Sequence, residues 1–163
     1  LLEQFDIQLD ALEIDSARAK RIQENLDRLK LQNTRVLVGD ASEPKRWFDE
    51  LQYDAILADV PCSASGIVRR HPDITYLRQE VDIKNLQVMQ RKILTALWGL
   101  LKPGGKLLYV TCSVFPEEGE LQARWWLSSM PNALRLDAPG QILPSKEHDG
   151  FFYALFEKEK SNN

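Results

Sequence analysis

The sequence has only two cysteines among its 163 residues, no Gly-x-Gly-x-x-Gly turn, no surplus of basic charge and no long apolar run. Each shortage excludes something. Two widely separated cysteines make neither a disulfide framework nor a zinc site, so a reducing cytoplasm is the expected setting and no metal is expected. No apolar stretch approaches the roughly 20 residues that span a bilayer, and no basic, apolar leader opens the chain, so no membrane partner is expected. A net charge of −3 and a pI near 5.5 exclude a broad electrostatic grip on nucleic acid. Any such partner must be held by a local patch or by another part of a larger protein. The first residue is Leu1 rather than methionine, which reads as a fragment. Composition is otherwise that of a soluble globular protein, 44% hydrophobic and 28% charged, with no internal repeat or boundary, so residues 1–163 are expected to form one domain.

What is present is an alternation of strand and helix. Residues 9–14 read as a strand, with Asp15 or Ser16 capping a helix in which Ile22, Leu26 and Leu29 recur at helical spacing. A second strand over 35–40 ends in Gly39 and Asp40, and a short helix over 44–51 leads to a strand ending at Asp59. Residues 60–81, rich in Ser, Gly, Arg and Pro, form a loop long enough to be functional or disordered. From Asp82 a helix carries Leu86, Met89, Ile93, Leu97 and Leu100 on one stripe until Pro103-Gly104-Gly105 stops it. A strand over 106–111 follows, then a helix opened by Pro116 with Glu117 and Glu118 in its first turn. Asp149-Gly150 turns into an aromatic strand over 151–157, one of a closing pair, and 161–163 reads as a frayed tail. This order predicts an α/β protein with a doubly wound, mostly parallel sheet. Trp47, Trp98, Trp125 and Trp126 fit helical faces and are assigned to core or domain contacts; Phe151 and Phe152 are assigned to the core or an active-site wall.

Acids stand at three predicted strand ends: Glu13, Asp40 and Asp59. The carboxyl ends of strands line the ligand crevice of an open α/β sheet, and an acid there can hold the ribose hydroxyls of an adenosine cofactor. Capping of the next helix is the competing use. Three in succession favour binding, and all three are expected along one edge. The glycine-rich loop that should precede Glu13 is missing, so the first strand and part of the cofactor's seat are expected to be absent. The two cysteines follow predicted strands in near-matching settings, Pro61-Cys62-Ser63 and Thr111-Cys112-Ser113. A helix beginning near Pro116 would favour a thiolate at Cys112, and the fixed φ of Pro61 aims Cys62. The alternative is that both are small buried hydrophobes.

Asp59-Val60-Pro61-Cys62-Ser63-Ala64-Ser65-Gly66 and Thr111-Cys112-Ser113-Val114-Phe115-Pro116-Glu117-Glu118 resemble the paired motifs of S-adenosylmethionine-dependent RNA cytosine-5 methyltransferases. Arg69-Arg70-His71-Pro72-Asp73-Ile74 and Asp149-Gly150-Phe151-Phe152-Tyr153-Ala154 resemble the Fmu/Sun branch, which acts on bacterial small-subunit ribosomal RNA. The likeness runs from Leu9 to Lys158. It implies a Rossmann-like class I methyltransferase fold, S-adenosyl-L-methionine as cofactor, small-subunit (16S) ribosomal RNA as partner and an additional N-terminal RNA-binding region. It further implies that Cys112 adds to cytosine C6, that Cys62 assists product release, and that Asp59 sits against the base's N3/N4 edge. Glu13, Asp40 and Asp59 match the family's cofactor contacts. Arg69, Arg70 and His71 are expected to hold phosphates flanking a base that has left the stack, with a solvated charged loop as the alternative. DNA cytosine methyltransferases use the Pro-Cys cysteine as nucleophile, which keeps a reversal of the two thiols open. A non-catalytic binding module that keeps the fold is the remaining alternative, since a chain short of the glycine-rich loop should hold the cofactor poorly.

Overall fold

The computed structural model describes residues 4–48 and 52–160. The predicted tail at 161–163 and the end of the predicted 44–51 helix lie outside the described residues. The chain divides into two compact units, Leu1–Glu50 and Leu51–Asn163.

In the first unit, β1 (Leu9–Glu13) and β2 (Thr34–Val38) pair in parallel, with Glu13 opposite Val38. The connection between them is α1 (Ser16–Leu29), which buries Ala19 and Leu26. Asp15 starts it as the N-cap, its carboxyl accepting the N–H groups of Ala17 at 2.7 Å and Arg18 at 3.0 Å. Because β2 ends at Val38, Asp40 lies two residues beyond the strand rather than closing it. Its Oδ1 accepts the N–H and the hydroxyl of Ser42, both at 2.8 Å. The predicted 44–51 helix is a single 3₁₀ turn over Pro44–Arg46. Trp47 follows it and donates from its indole to the Asp40 carbonyl at 2.7 Å, so it belongs to no helical face.

The second unit is a four-stranded sheet in the order β3-β4-β6-β5, made of β3 (Tyr53–Asp59), β4 (Leu101–Thr111), β5 (Ala133–Ile142) and β6 (Phe151–Lys158). β3 and β4 are parallel, and β6 is antiparallel to both β4 and β5. Ahead of β4 come α2 (Ile74–Leu77), one turn inside the predicted long loop, and α3 (Glu80–Leu100). After β4 comes α4 (Glu120–Ser129).

Three local expectations shift, each for a backbone reason. Strand β4 starts at Leu101 instead of residue 106. Leu101 opposes Tyr53 while Lys106 opposes Ala55, so the residues between bulge out, and Gly104 at φ 82° supplies the left-handed step. Strand β5 is broken by Pro139-Gly140, with a register shift between Leu136 and Gly140, and a bulge is where a strand tolerates proline. Pro116 opens only the 3₁₀ turn Pro116–Glu118; α4 begins at Glu120, after Gly119.

The core joins Leu94, Leu97 and Trp98 of α3 to Leu107 and Tyr109 of β4, Trp126 of α4 and the alternate residues Phe152, Ala154 and Phe156 of β6. Trp98 and Trp126 meet edge to face at 5.3 Å, while Trp125 is half-buried with the Arg91 guanidinium 4.6 Å from its ring. On α3, Met89 of the predicted stripe is exposed and its neighbour Gln90 turns inward. No helix among the described residues is long and apolar enough to cross a membrane.

Candidate active site

Parallel neighbours deliver their carboxyl ends to the same place. Asp59 stands opposite Val110, and the Val60 N–H still reaches the Val110 carbonyl at 3.3 Å, so the two chains leave the sheet together. Their cysteines follow at once, and the sulfurs of Cys62 and Cys112 meet at 3.4 Å. The residue after each cysteine stitches the turns. Ser63 and Ser113 are enclosed and face each other hydroxyl to hydroxyl at 3.2 Å, and Ser65 joins them at 3.1 and 3.0 Å. Ser65 Oγ also accepts the Val114 N–H at 3.0 Å. Gly66 donates its N–H to the Cys112 carbonyl at 2.9 Å and accepts from the Gly150 N–H at 2.8 Å. A side chain at Gly66 would overlap the Gly150 carbonyl and crowd that of Cys112. Ala64 takes φ 61°, a left-handed conformation uncommon outside glycine, inside this web.

The sulfur contact makes two identical side chains unequal. Its hydrogen bond to Cys112, and then burial, push the Cys62 thiol far up. Receiving that bond brings Cys112 down to about 7, against partial burial and the charge of Asp59. Cys112 is thus shifted toward the thiolate, the nucleophilic form of a cysteine. The source is Cys62 and not a helix dipole, because the turn after Phe115 is only three residues long. Asp59 is exposed at its strand end, yet partial desolvation of its carboxyl raises its pKa.

Behind Cys62 lies a buried polar cluster that sequence reasoning did not find. Glu118, fully enclosed, accepts the Ser63 N–H at 2.9 Å and a Gln90 amide N–H at 3.1 Å, both on Oε1. The Gln90 amide also donates to the Pro61 carbonyl at 3.0 Å. Gln122 donates to Gln90 Oε1 at 2.8 Å, which fixes which way the amide points, and the Tyr109 hydroxyl lies 3.2 Å from the same oxygen. In sequence, Glu118 reads as one of two acids suited to a helix start. The available signal is Gln90, a polar residue set among the apolar positions of α3.

Two of the three loop cations face a carboxylate. Arg70 forms an ion pair with the nearly enclosed Asp149, whose Oδ1 lies 3.8 Å from Arg69, and Arg69 reaches the Lys146 carbonyl at 3.5 Å. His71 is exposed. The other two predicted cofactor acids belong to the first unit. Glu13 Oε1 accepts the Asp15 N–H at 3.0 Å and meets Arg18 at 2.9 Å. Glu13 and Asp40 each show their local bonds on one oxygen, which leaves the other oxygen of each able to accept a hydroxyl.

This fold, an α/β sheet whose parallel strands end in an acid and a pair of facing thiols, is shared with a solved methyltransferase homolog. A methyltransferase homolog protein from Pyrococcus horikoshii superimposes with a TM-score of 0.77 at 28% identity, covering 94% of this chain and 54% of that one. NSun6 from the same organism, solved with SFG, gives 0.81 at 26% identity, over 94% and 42%. PH0851 gives 0.85 at 34%, over 93% and 37%. The chain belongs to the 16S rRNA methyltransferase RsmB/F family, whose model matches residues 2–157. It is 48% identical over 158 residues to ribosomal RNA small subunit methyltransferase B of Vibrio cholerae, and 49% over 150 residues to that of Proteus mirabilis. The matches cover 93% and 91% of this chain but span only 36% and 35% of those relatives.

Proposed function

We propose that this chain is the catalytic region of a cytoplasmic enzyme that methylates C5 of a cytosine in small-subunit ribosomal RNA, with Cys112 as the attacking thiol. The observation that carries the reading is the 3.4 Å contact of two sulfurs at neighbouring strand ends, and the lowered pKa of Cys112 favours it as the attacking one. Cytosine C5 is a poor nucleophile until something adds to C6. The Cys112 thiolate forms a C6–S bond and pushes the ring's electron pair toward C5. Asp59, with a raised pKa, holds the N3/N4 edge by a hydrogen bond that strengthens as charge develops on the ring. Bound S-adenosyl-L-methionine supplies the methyl group as an electrophile. Glu13 and Asp40 are the acids this reading gives to its ribose hydroxyls. With the methyl group on C5 and the cofactor left as its thioether, a base such as water takes the C5 proton. That C–H electron pair re-forms the C5–C6 double bond as the C6–S bond breaks and Cys112 leaves as thiolate, a release assisted by Cys62.

Arg69, Arg70 and His71 hold the flanking phosphates in this reading, and an RNA-binding region elsewhere in the whole protein supplies the remaining grip. The test is adduct trapping. Each Cys→Ala variant of the active enzyme is mixed with substrate RNA and cofactor and run on a denaturing gel. Cys62→Ala is expected to accumulate a protein–RNA conjugate and Cys112→Ala to form none. Conjugate from Cys112→Ala but not from Cys62→Ala would reverse the two roles and favour the arrangement of the DNA enzymes.

A further inference from the structure

We propose that Glu118 is a positioning residue for Cys62, acting with Gln90 as a clamp on the two peptide groups that flank it. This rests on the role assigned to Cys62 above. The rotation of a side chain's Cα is set by the peptide groups on either side. Here the preceding carbonyl, of Pro61, is held by the Gln90 amide at 3.0 Å, and the following N–H, of Ser63, is held by Glu118 Oε1 at 2.9 Å. The two holders bond to each other at 3.1 Å. They come from different elements, α3 and the turn before α4, so the Cys62 turn is tied to two separate parts of the unit. Further bonds anchor the clamp. Tyr109 donates to the Glu118 carbonyl at 2.8 Å, and the Gln122 amide that donates to Gln90 also donates to the Gln87 carbonyl at 3.0 Å. Glu118 Oε2 is enclosed and accepts nothing, so the carboxyl's hold on the turn lies in Oε1 alone.

A buried acid is retained only where its bonds repay desolvation. Glu118 directs one oxygen at the N–H that follows a catalytic thiol. Fixing that N–H fixes where the Cys62 sulfur points, and Cys62 is useful only while its sulfur stays on Cys112. Glu118 therefore acts on release through Cys62, and an amide at position 118 would serve as well, since it too offers one acceptor oxygen.

The active enzyme tests this in two ways. In single-turnover assays with RNA and cofactor, Glu118→Ala is expected to form the covalent adduct at a near-normal rate but to resolve it about tenfold more slowly, the worth of one buried hydrogen bond. Glu118→Gln should resolve it within about threefold of the parent. In the Cys62→Ala background Glu118→Ala should add nothing, because both changes remove the same action. In the RNA-free protein, alkylation of Cys62 followed by mass spectrometry should be about tenfold faster in Glu118→Ala as the turn loosens. If Glu118→Ala does not fold, Glu118→Asp, one methylene too short to reach, replaces it with the same expectations. Additive slowing in the Cys62→Ala background, or unchanged Cys62 alkylation, overturns the clamp. If Cys62→Ala itself resolves adduct normally, the release role falls, and the alkylation result still decides whether Glu118 holds the turn.

Discussion

A thiol that donates to its neighbour stabilises the neighbour's anion, and that one bond is the main chemical asset of this site. Because Cys112 is held near 7 chiefly by the Cys62 hydrogen bond, removing the donor should raise it. With iodoacetamide as probe and mass spectrometry to separate the two peptides, Cys112 alkylation in the parent should rise with pH through about 7. In Cys62→Ala the same rise should come about one pH unit higher or more, making Cys112 less reactive at neutral pH. An unshifted midpoint would mean that the sulfur contact does not set the acidity. Position alone makes both cysteines visible in the sequence, since each follows a hydrophobic run that reads as a strand. Their inequality is not visible there, because it depends on which sulfur donates to the other.

At the level of elements, the site is three turns laced together: 60–66 after β3, 112–114 after β4 and 149–150 before β6. Gly66 is where they cross, with its N–H on Cys112 and its carbonyl on Gly150. Gly66→Ala should cost about 2–4 kcal/mol, read as a lower urea midpoint at unchanged slope, because the obstacles are backbone atoms that cannot swing aside. Gly99→Ala is the contrasting case. It lies on exposed helix with nothing near the added carbon and should stabilise by about 0.5–1 kcal/mol. The same elements mark what is legible in the sequence. Period-2 and period-3.6 patterns locate β1, α1, β3, α3 and β6, and place Asp59 and both thiols at strand exits. The start of β4 and the bounds of β5, expected only as the partner in a closing pair, escape because bulges at Gly104 and Gly140 put glycine and proline inside strands, where they read as stops. Glu117 and Glu118 are the same residue in sequence, and only the fold exposes one and encloses the other.

Across the whole molecule, charge bears on the proposed reading. With a net charge of −3, this chain's own hold on phosphates would rest on few residues, and of the three expected cations two face Asp149. That pairing does not consume them. Arg69 and Arg70 are about half exposed, with side-chain accessibilities of 51% and 58%, although Asp149 itself is nearly enclosed. A guanidinium has five N–H donors, so one carboxylate can orient it while others reach a phosphate. On this account Asp149 aims the arginines and RNA uses what remains. Arg70→Gln in the active enzyme should then weaken RNA binding and flatten the plot of log affinity against log salt by about 0.7 for each single-strand phosphate that the variant no longer neutralises. Thermal stability should fall as well, because Arg70 is the closer partner of the nearly enclosed Asp149. A variant whose salt slope equals the parent's while its stability drops would assign Arg70 to Asp149 alone, as a tie between the 60–81 segment and the turn before β6.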